Sequence, residues 1–211
     1  REAEAGLAVA ILGDAGMGKS TLLEQLAWEL TVSWEGKNVP DAQWRVPILV
    51  HLRQWKLSRH KTLEGFVADQ VPTLSASLVH DLGVGRRVVF LLDGLDEVPG
   101  EKRRRSLLEW LDREVARESI RSCPVVLSSR PWAFDGTLLR AFRAERRQLT
   151  ELRPSDIEDY VGRYFAADKP RGRRLQRELI DAPALRRLAA RPLFLMLLCA
   201  AWETNPGTLP S

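Results

Sequence analysis

A glycine-rich segment near the start of the chain has the composition of a phosphate-binding loop. Its residues 13–21, Gly-Asp-Ala-Gly-Met-Gly-Lys-Ser-Thr, fit the pattern GxxxxGK(S/T), follow a predicted strand and open a predicted helix. Glycines let several backbone N–H groups point at one phosphate, and the helix N-terminus adds partial positive charge. The predicted nucleotide-phosphate site therefore consists of Gly13, Asp14, Ala15, Gly16, Met17, Gly18, Lys19, Ser20 and Thr21.

The last residues of this loop indicate a nucleoside triphosphate bound with a metal ion. Lys19 is expected to reach the β- and γ-phosphates, and Ser20 to direct its hydroxyl oxygen at Mg²⁺. A second acid directed at Mg²⁺ should follow a buried parallel strand, because ligands bind outside the carboxyl ends of such strands. The apolar run 88–92 ends at Asp93. Ser20 and Asp93 are therefore the predicted metal ligands.

Two more acids follow Asp93 closely. Asp96 and Glu97 are candidates to polarise a water that attacks the γ-phosphate. An Asp-Glu pair shortly before Pro99 and Gly100 is also typical of a solvated turn. The phosphate-binding loop upstream favours the catalytic interpretation over the turn.

The elements that must position these residues follow an alternating pattern. Short apolar runs predict strands at residues 7–12, 46–52, 87–92, 124–127 and 147–150. Helical periodicity predicts helices at 20–34, at 62–82 with a break at Pro72, and at 102–117. This alternation is typical of a parallel sheet covered by helices. The predicted fold class is α/β, with a three-layer arrangement around a five-stranded parallel sheet.

Only helices are predicted after residue 152. A capping box at Ser155 and Glu158 is expected to begin the first of them, and further helices are predicted at about 173–180, 183–190 and 192–202. The first helix has one apolar stripe, formed by Ile157, Tyr160, Val161, Tyr164 and Phe165. The predicted division is a nucleotide-binding domain at residues 1–151 and a small helical domain at 152–211.

Composition narrows the class of protein. The chain is 45% apolar and 28% charged, as in ordinary globular proteins, and its longest apolar run is far shorter than a membrane span of roughly 20 residues. The net charge is +4, but acidic residues interrupt the basic runs, so nucleic acid is not an expected partner. Cys123 and Cys199 lack metal-site spacing and are expected to be buried, reduced thiols of a cytoplasmic protein. Both ends look cut, so we expect a fragment of a longer protein.

Five ordered segments resemble the NACHT ATPases, which belong to the signal-transducing ATPases with numerous domains. The phosphate-binding loop is similar to the Walker A motif of that family, and Asp93-Gly-Leu-Asp-Glu97 resembles its Walker B variant. Residues 47–53 resemble the second strand. Residues 126–131 resemble the sensor-1 segment, with Ser128 in place of the usual Thr. Residues 191–199 resemble the helical-domain motif, with Arg191 in place of the usual Asn.

The resemblance also implies a strand order, roles for two further residues and a biological function, none of which the motif spacing shows. It implies strand order 5-1-4-3-2, an Arg130 that senses the γ-phosphate and acts in catalysis, and a Pro192 that packs on adenine. Such proteins rest on ADP, exchange it for ATP when a trigger is detected, oligomerise, and hydrolyse ATP slowly. They serve innate immunity in animals and antiviral defence against phage in bacteria. The winged-helix, effector and sensor regions of such proteins are expected to lie outside this fragment, and the Arg-rich composition points towards a bacterial source.

Several alternatives remain open at the level of sequence. Arg130 could be a surface residue, and Pro192 could simply begin a helix, where its missing N–H costs nothing. The histidines have no partners at ligand spacing and are assigned no role. Other P-loop classes, namely GTPases, kinases and helicases, are rivals, although no guanine-reading Lys-x-Asp element occurs and adenine is the expected base. A scaffold that binds nucleotide without turnover is the rival outside enzymes.

Overall fold

The computed structural model describes residues 8–32, 44–135 and 144–205. Its five strands form one parallel sheet in the order β5-β1-β4-β3-β2, which confirms the predicted α/β class and strand order. The strands are β1 Ala8–Leu12, β2 Val46–His51, β3 Val88–Asp93, β4 Val125–Ser129 and β5 Glu145–Gln148. Leu7, the first residue of a predicted strand, and residues 33–34, the last of a predicted helix, lie outside the described residues.

Eight α-helices lie in the described ranges. Those between the strands are α1 Lys19–Val32, α2 Leu63–Gln70, α3 Ala76–Val84 and α4 Glu101–Val115. Those after the sheet are α5 Pro154–Tyr164, α6 Lys169–Asp181, α7 Pro183–Ala189 and α8 Pro192–Thr204. Short 3-10 turns occur at Leu52–Gln54, Leu95–Glu97 and Pro131–Ala133. None of the helices in these ranges is long and apolar enough to cross a membrane.

The chain divides into two compact units. The first contains residues 1–13 and 19–148, and the second contains residues 14–18 and 149–211. The first unit has a core on the sheet that includes Phe66, Phe90 and Trp110, and the second has a core that includes Phe165 and Trp202. Each unit buries enough apolar surface to form a core of its own.

The sheet is apolar at its centre and polar at its edges. All six residues of β3 are buried, as expected for a strand with neighbours on both sides and helices on both faces. All four residues of β5 are exposed, and β5 pairs only with β1 among the described strands. At the other edge, the Gln70 side chain accepts the His51 N–H at 2.8 Å and donates to the His51 carbonyl at 3.4 Å. Two backbone groups of His51 are therefore already hydrogen-bonded at the β2 edge. At the β5 edge, exposed polar side chains disfavour pairing with another strand.

Most predicted boundaries are within two residues of the observed ones, and four of the differences have a physical cause. β5 begins two residues earlier than predicted, because Glu-Arg-Arg-Gln has no apolar pattern and its pairing with β1 decides the register. β4 continues to Ser129, because two buried serines extend it beyond its apolar run. β2 ends at His51, where a 3-10 turn begins. α6 begins at Lys169, because the Asp168 side chain accepts the Arg171 N–H at 3.1 Å and caps the helix.

The capping box predicted at Ser155 and Glu158 is also wrong. Pro154 is the first residue of α5, so the capping position falls on Arg153. The Asp156 carboxylate accepts the Arg153 N–H at 2.9 Å and pairs with its guanidinium at 3.0 Å. These contacts raise the pKa of Arg153 and lower that of Asp156, chiefly through their mutual hydrogen bond.

The predicted apolar stripe of α5 is narrower than expected. Ile157, Val161 and Phe165 are buried, whereas Tyr160 and Tyr164 lie at the exposed margin. The Tyr164 hydroxyl donates to Glu203 at 3.0 Å, a partner on α8 that periodicity could not indicate. A phenol can cover apolar neighbours and still keep its hydroxyl in water.

The two cysteines are buried free thiols, as predicted. Burial raises the pKa of both Cys123 and Cys199 to about 11. Both thiols therefore stay protonated at neutral pH, and thiols in that state are poor nucleophiles.

Two buried glutamates, Glu64 on α2 and Glu114 on α4, share one arginine. Arg117 donates to Glu64 at 2.7 Å and to Glu114 at 2.8 Å, and Glu114 also accepts the Leu63 N–H at the start of α2. Ser119 donates to Glu64 at 3.1 Å. Burial alone would raise the pKa of Glu64, but its hydrogen bonds and the charge of Arg117 hold it below its usual value.

We expect Arg117→Ala to lower the free energy of unfolding by about 2–3 kcal/mol, because it leaves two buried carboxylates without their cation. Urea unfolding at neutral pH measures the change, with Arg113→Ala, an exposed residue in the last turn of α4, as the control. Because the pKa of Glu64 is depressed in the fold, its stabilisation is present above the ordinary glutamate pKa and disappears below the depressed one. The difference between wild type and variant should therefore shrink in acid. A difference that persists or grows there contradicts the assignment.

Candidate functional site

A buried carboxylate ends the central strand β3. Asp93 is 5% exposed, because the apolar strand that carries it runs to the carboxyl edge of the sheet. The Ser128 hydroxyl on β4 donates to Asp93 Oδ1 at 2.5 Å and accepts the Gly94 N–H at 2.8 Å. His51 Nδ1, at the end of β2, lies 3.5 Å from Asp93 Oδ2. Three neighbouring strand ends thus meet at one carboxylate.

The turn after Asp93 depends on a glycine. Gly94 has φ +78°, in the left-handed region, and a 3-10 turn follows over Leu95–Glu97. A Cβ at residue 94 would lie 3.1 Å from Glu97 Cδ and 3.3 Å from Glu97 Cγ. Glycine is therefore required both by the backbone angle and by the position of the Glu97 side chain.

The two acids of this turn have different surroundings. The Asp96 side chain is 7% exposed, and its Oδ2 lies 2.9 Å from Arg130 Nε, in an ion pair without hydrogen-bond alignment. Asp96 Oδ1 also accepts the Arg130 N–H at 3.1 Å. The Glu97 side chain is half exposed, and its nearest cation is Arg53, at 4.0 Å. Asp96 is an anchored group, whereas Glu97 faces solvent.

The ends of the phosphate-binding loop belong to the first unit. The Gly13 N–H donates to the Ser129 carbonyl at 3.1 Å, which ties the end of β1 to β4. Lys19 begins α1, and its ammonium group donates to the Gly13 carbonyl at 2.8 Å. Ser20 and Thr21 are exposed in the first turn of α1. The Lys19 ammonium group therefore contacts the first residue of its own loop.

The middle of the loop belongs to the second unit. Gly16 and Gly18 have φ +75° and +81°, which strongly favour glycine, whereas Asp14 and Ala15 are exposed and Met17 is buried. The Gly16 carbonyl accepts the Leu193 N–H at 3.1 Å, and a Cβ on Gly16 would lie 3.0 Å from Leu193 Cβ. Pro192, one residue earlier, is the first residue of α8. Pro192 therefore begins a helix, and its neighbour contacts the loop.

Sequence reasoning missed two partners of Asp93. His51 was assigned no role, yet it is aligned with Asp93 in the pairing of β2 and β3. Ser128 was noted only as a replacement in a motif. The signal that could have found both is the adjacency of parallel strands, because the residues that end neighbouring strands lie side by side.

The residues present fit a magnesium nucleotide. A buried carboxylate and a hydroxyl are oxygen donors of the kind that Mg²⁺ prefers, and Mg²⁺ usually completes its shell with phosphates and water. The described residues contain no group of three or more His, Cys, Asp or Glu that could hold a metal ion, and a site of this kind requires none. The two left-handed glycines of the loop let its backbone curl, as a phosphate cradle needs.

We expect Gly94→Ala to lower the free energy of unfolding by about 1–3 kcal/mol, because alanine is strained at this φ and its Cβ would displace Glu97. Gly162→Ala is the matched control: Gly162 lies within α5 and a Cβ there meets no atom within 4 Å, so alanine should stabilise the helix slightly. Chemical unfolding of both variants measures the difference. Equal stability of the two variants would show that the turn tolerates a side chain.

Comparison with known proteins places this geometry in a family. A family model described as the NACHT domain matches residues 7–168, which is most of the chain. No curated protein matches the chain. Among solved structures, two variants of RuvB from Thermotoga maritima are similar, with TM-scores of 0.54 and 0.52 at 17% and 15% identity. The alignments cover 94% of this chain and 55% of each RuvB chain, so this chain spans about half their length. At that identity the likeness shows the fold alone, whereas the family model shows that the chain belongs to the NACHT family of P-loop NTPases.

Proposed function

We propose that this chain is a nucleotide switch that binds ATP or ADP with Mg²⁺ and hydrolyses ATP slowly. The observation that carries the proposal is the buried Asp93, held by Ser128 at the end of β3, in a chain with a complete phosphate-binding loop. Lys19 would neutralise charge on the terminal phosphates, and Ser20 and Asp93 would hold the metal. When bound, Mg²⁺ neutralises charge on the phosphate oxygens.

The two acids beyond Asp93 suggest separate tasks in hydrolysis. Glu97 is exposed and only loosely paired, so it is the better candidate to orient a water molecule. Asp96 is buried against Arg130, so it would act mainly by positioning the arginine. A guanidinium held beside the turn can bind either a carboxylate or a phosphate oxygen, because its donors suit both. Arg130 would thus distinguish ATP from ADP by exchanging Asp96 for the γ-phosphate.

Membership of the NACHT family supports a finer proposal for the role of this module. In a longer protein, the exchange of ADP for ATP would control oligomerisation in response to a trigger, in innate immunity or defence against phage. The domain boundary near residue 151 and the stacking of Pro192 on adenine are part of this proposal. A ligand biases a switch only if it contacts the two arrangements differently, and the exchange at Arg130 supplies such a difference.

A second candidate is a nucleotide-gated scaffold without significant turnover. The specific observation in its favour is the Asp96–Arg130 ion pair, because it removes one of the two acids that could otherwise assist an attacking water. Binding of ATP and ADP would be unchanged in this candidate. Only the rate of hydrolysis separates the two.

Lys19→Ala should weaken ATP and ADP binding about a hundredfold, because it removes the charge that holds the terminal phosphates and leaves the fold intact. Titration calorimetry with Mg²⁺ measures the affinities, and Lys169→Ala, an exposed lysine of α6, is the control. Competition with GTP in the same assay tests the base, and adenine should be preferred. Wild-type affinity in Lys19→Ala would refute the phosphate site, and a tenfold preference for GTP would refute the base assignment.

Variants of the acids and of Arg130 test hydrolysis and sensing. Glu97→Gln should spare binding and slow turnover, whereas Asp93→Asn should weaken binding that depends on Mg²⁺. Arg130→Ala should change the ratio of ATP to ADP affinity. Because Asp96 acts through Arg130, adding Asp96→Asn to Arg130→Ala should have little further effect in a double-mutant cycle. Additive effects would mean that Asp96 acts by itself, and undiminished turnover in Glu97→Gln would mean that Glu97 does not orient the attacking water. Absence of turnover in the wild-type chain would favour the scaffold.

A further inference from the structure

A cationic cavity lies in the first unit, in residues that the nucleotide site does not use. The cavity has a volume of about 690 Å³ and is open to solvent. Its walls come from residues 55–61, which follow the 3-10 turn after β2, and from the first two turns of α4. Cavities of roughly 300–1,000 Å³ are typical of small-molecule sites.

The charge of this cavity has one sign. Lys56, Lys61, Lys102 and Arg103 line it, and none of its lining residues is acidic. Within the described part of the chain, none of these four cations forms an ion pair with a carboxylate. Cations that converge on one concave surface concentrate anions there, and lysine is a frequent phosphate ligand because it acts as a compact point charge.

The loop that carries two of these lysines is held by buried groups. The Lys56 N–H donates to His60 Nδ1 at 2.9 Å, and His60 Nε2 lies 3.2 Å from Asp69 Oδ2, which also pairs with Arg59. His60 is 3% exposed, so this anchor is inside the protein. The Asp69 carboxylate, on α2, is therefore already paired with two side chains of the loop.

The other wall is fastened to the same loop. The Arg103 guanidinium donates to the Trp55 carbonyl, and the Trp110 indole donates to the Lys61 carbonyl at 3.3 Å. A site whose walls are fixed in advance loses less conformational entropy when a ligand binds. The cavity is thus preorganised as well as basic.

Trp55 adds an independent observation. It lines the cavity, it is fully buried, and its Nε1 has no hydrogen-bond partner in the described structure. A buried donor without an acceptor is destabilising, so a small shift of the indole towards an acceptor would be favourable. Beside the four cations, the cavity therefore has a neighbouring buried donor that no described group satisfies.

We propose that this cavity is a second anion site, which binds a small molecule carrying two or more clustered phosphate groups. Four cations without acidic neighbours call for a ligand with several negative charges, and the volume suits a compact ring or chain of phosphates. The source is either a free metabolite or the headgroup of a phosphorylated lipid, which present the same chemistry. The site is separate from the phosphate-binding loop, so its occupancy does not depend on Lys19.

Inositol hexakisphosphate is the probe, titrated into the full chain by calorimetry without Mg²⁺. Lys61→Glu with Lys102→Glu should weaken binding about tenfold or more, because the pair reverses charge at both walls. The control is Lys169→Glu with Arg173→Glu, two exposed cations of α6 with the same change in net charge. Neither the control pair nor Lys19→Ala should alter the affinity. The neutral pair Lys61→Gln with Lys102→Gln should weaken binding in the same direction, and it serves if charge reversal prevents folding.

A second measurement uses the wild-type protein. The indole Nε1–H resonance of Trp55, assigned with Trp55→Phe, should shift on addition of the probe, whereas those of exposed tryptophans should not. Phosphatidylcholine vesicles with and without phosphatidylinositol phosphate identify the source: binding only to the phosphorylated vesicles indicates a lipid headgroup, and binding only to the soluble probe indicates a free metabolite.

Four results would overturn the proposal. They are no binding of the probe to either source, equal loss in the cavity and α6 double variants, loss in Lys19→Ala, and tighter binding of a short single-stranded RNA than of the probe. Equal loss in the two double variants would mean that net charge alone attracts the probe. Loss in Lys19→Ala would mean that the probe binds at the phosphate-binding loop, and tighter binding of RNA would mean that the cavity is part of a nucleic-acid surface. None of these outcomes depends on whether the chain hydrolyses ATP.

Discussion

The carboxylate of Asp93 lies almost completely out of water, at the end of a strand whose other five residues are apolar. A buried charge of this kind is tolerated only when hydrogen bonds replace the lost water. Ser128 supplies one of them, and it is itself fixed by the Gly94 N–H. This arrangement requires β4 to lie beside β3 and requires the chain to turn sharply at a left-handed glycine. Strand order, the serine on β4 and the glycine after Asp93 are therefore linked by one electrostatic requirement.

Asp96 and Glu97 lie on one short turn, but their carboxylates have opposite environments. Asp96 points towards Arg130 and is shielded from solvent, whereas Glu97 is half exposed and has only a distant cation. A shielded ion pair is sensitive to removal of either partner, because the remaining charge is left buried. An exposed carboxylate keeps its freedom to meet water or ligand. The environment of each carboxylate, rather than its residue type, therefore determines its role. Asp96 stabilises the site, whereas Glu97 is free to contact water or ligand.

The fold class and the strands could be predicted from local patterns, whereas the strand order was implied only by the family resemblance. The apolar runs mark the strands, and the glycine-rich loop and Asp93 mark the sheet edge where ligands bind. The pairing of Asp96 with Arg130 could not be predicted, because 34 residues separate them in the chain and only the adjacency of β3 and β4 brings them together. The same reason explains why His51 was overlooked.

Smaller errors have local physical causes. β5 carries four polar residues, so no periodicity marks it, and its place is decided by pairing with β1. The start of α5 was misplaced because a proline as first helical residue moves the cap to Arg153, a residue type that propensity does not favour there. In both places a tertiary or steric constraint outweighed the pattern of residue types.

The two margins of the sheet have a consequence for how copies of this chain can associate. At β2, the Gln70 amide occupies the His51 N–H and carbonyl, and at β5, which pairs only with β1 among the described strands, the charged side chains are exposed. Continuation of one sheet into the next would have to displace the amide at one margin or crowd charges at the other. Protomers that assemble therefore have little to gain from strand addition. Any association between copies would have to use side-chain surfaces rather than backbone pairing between sheets.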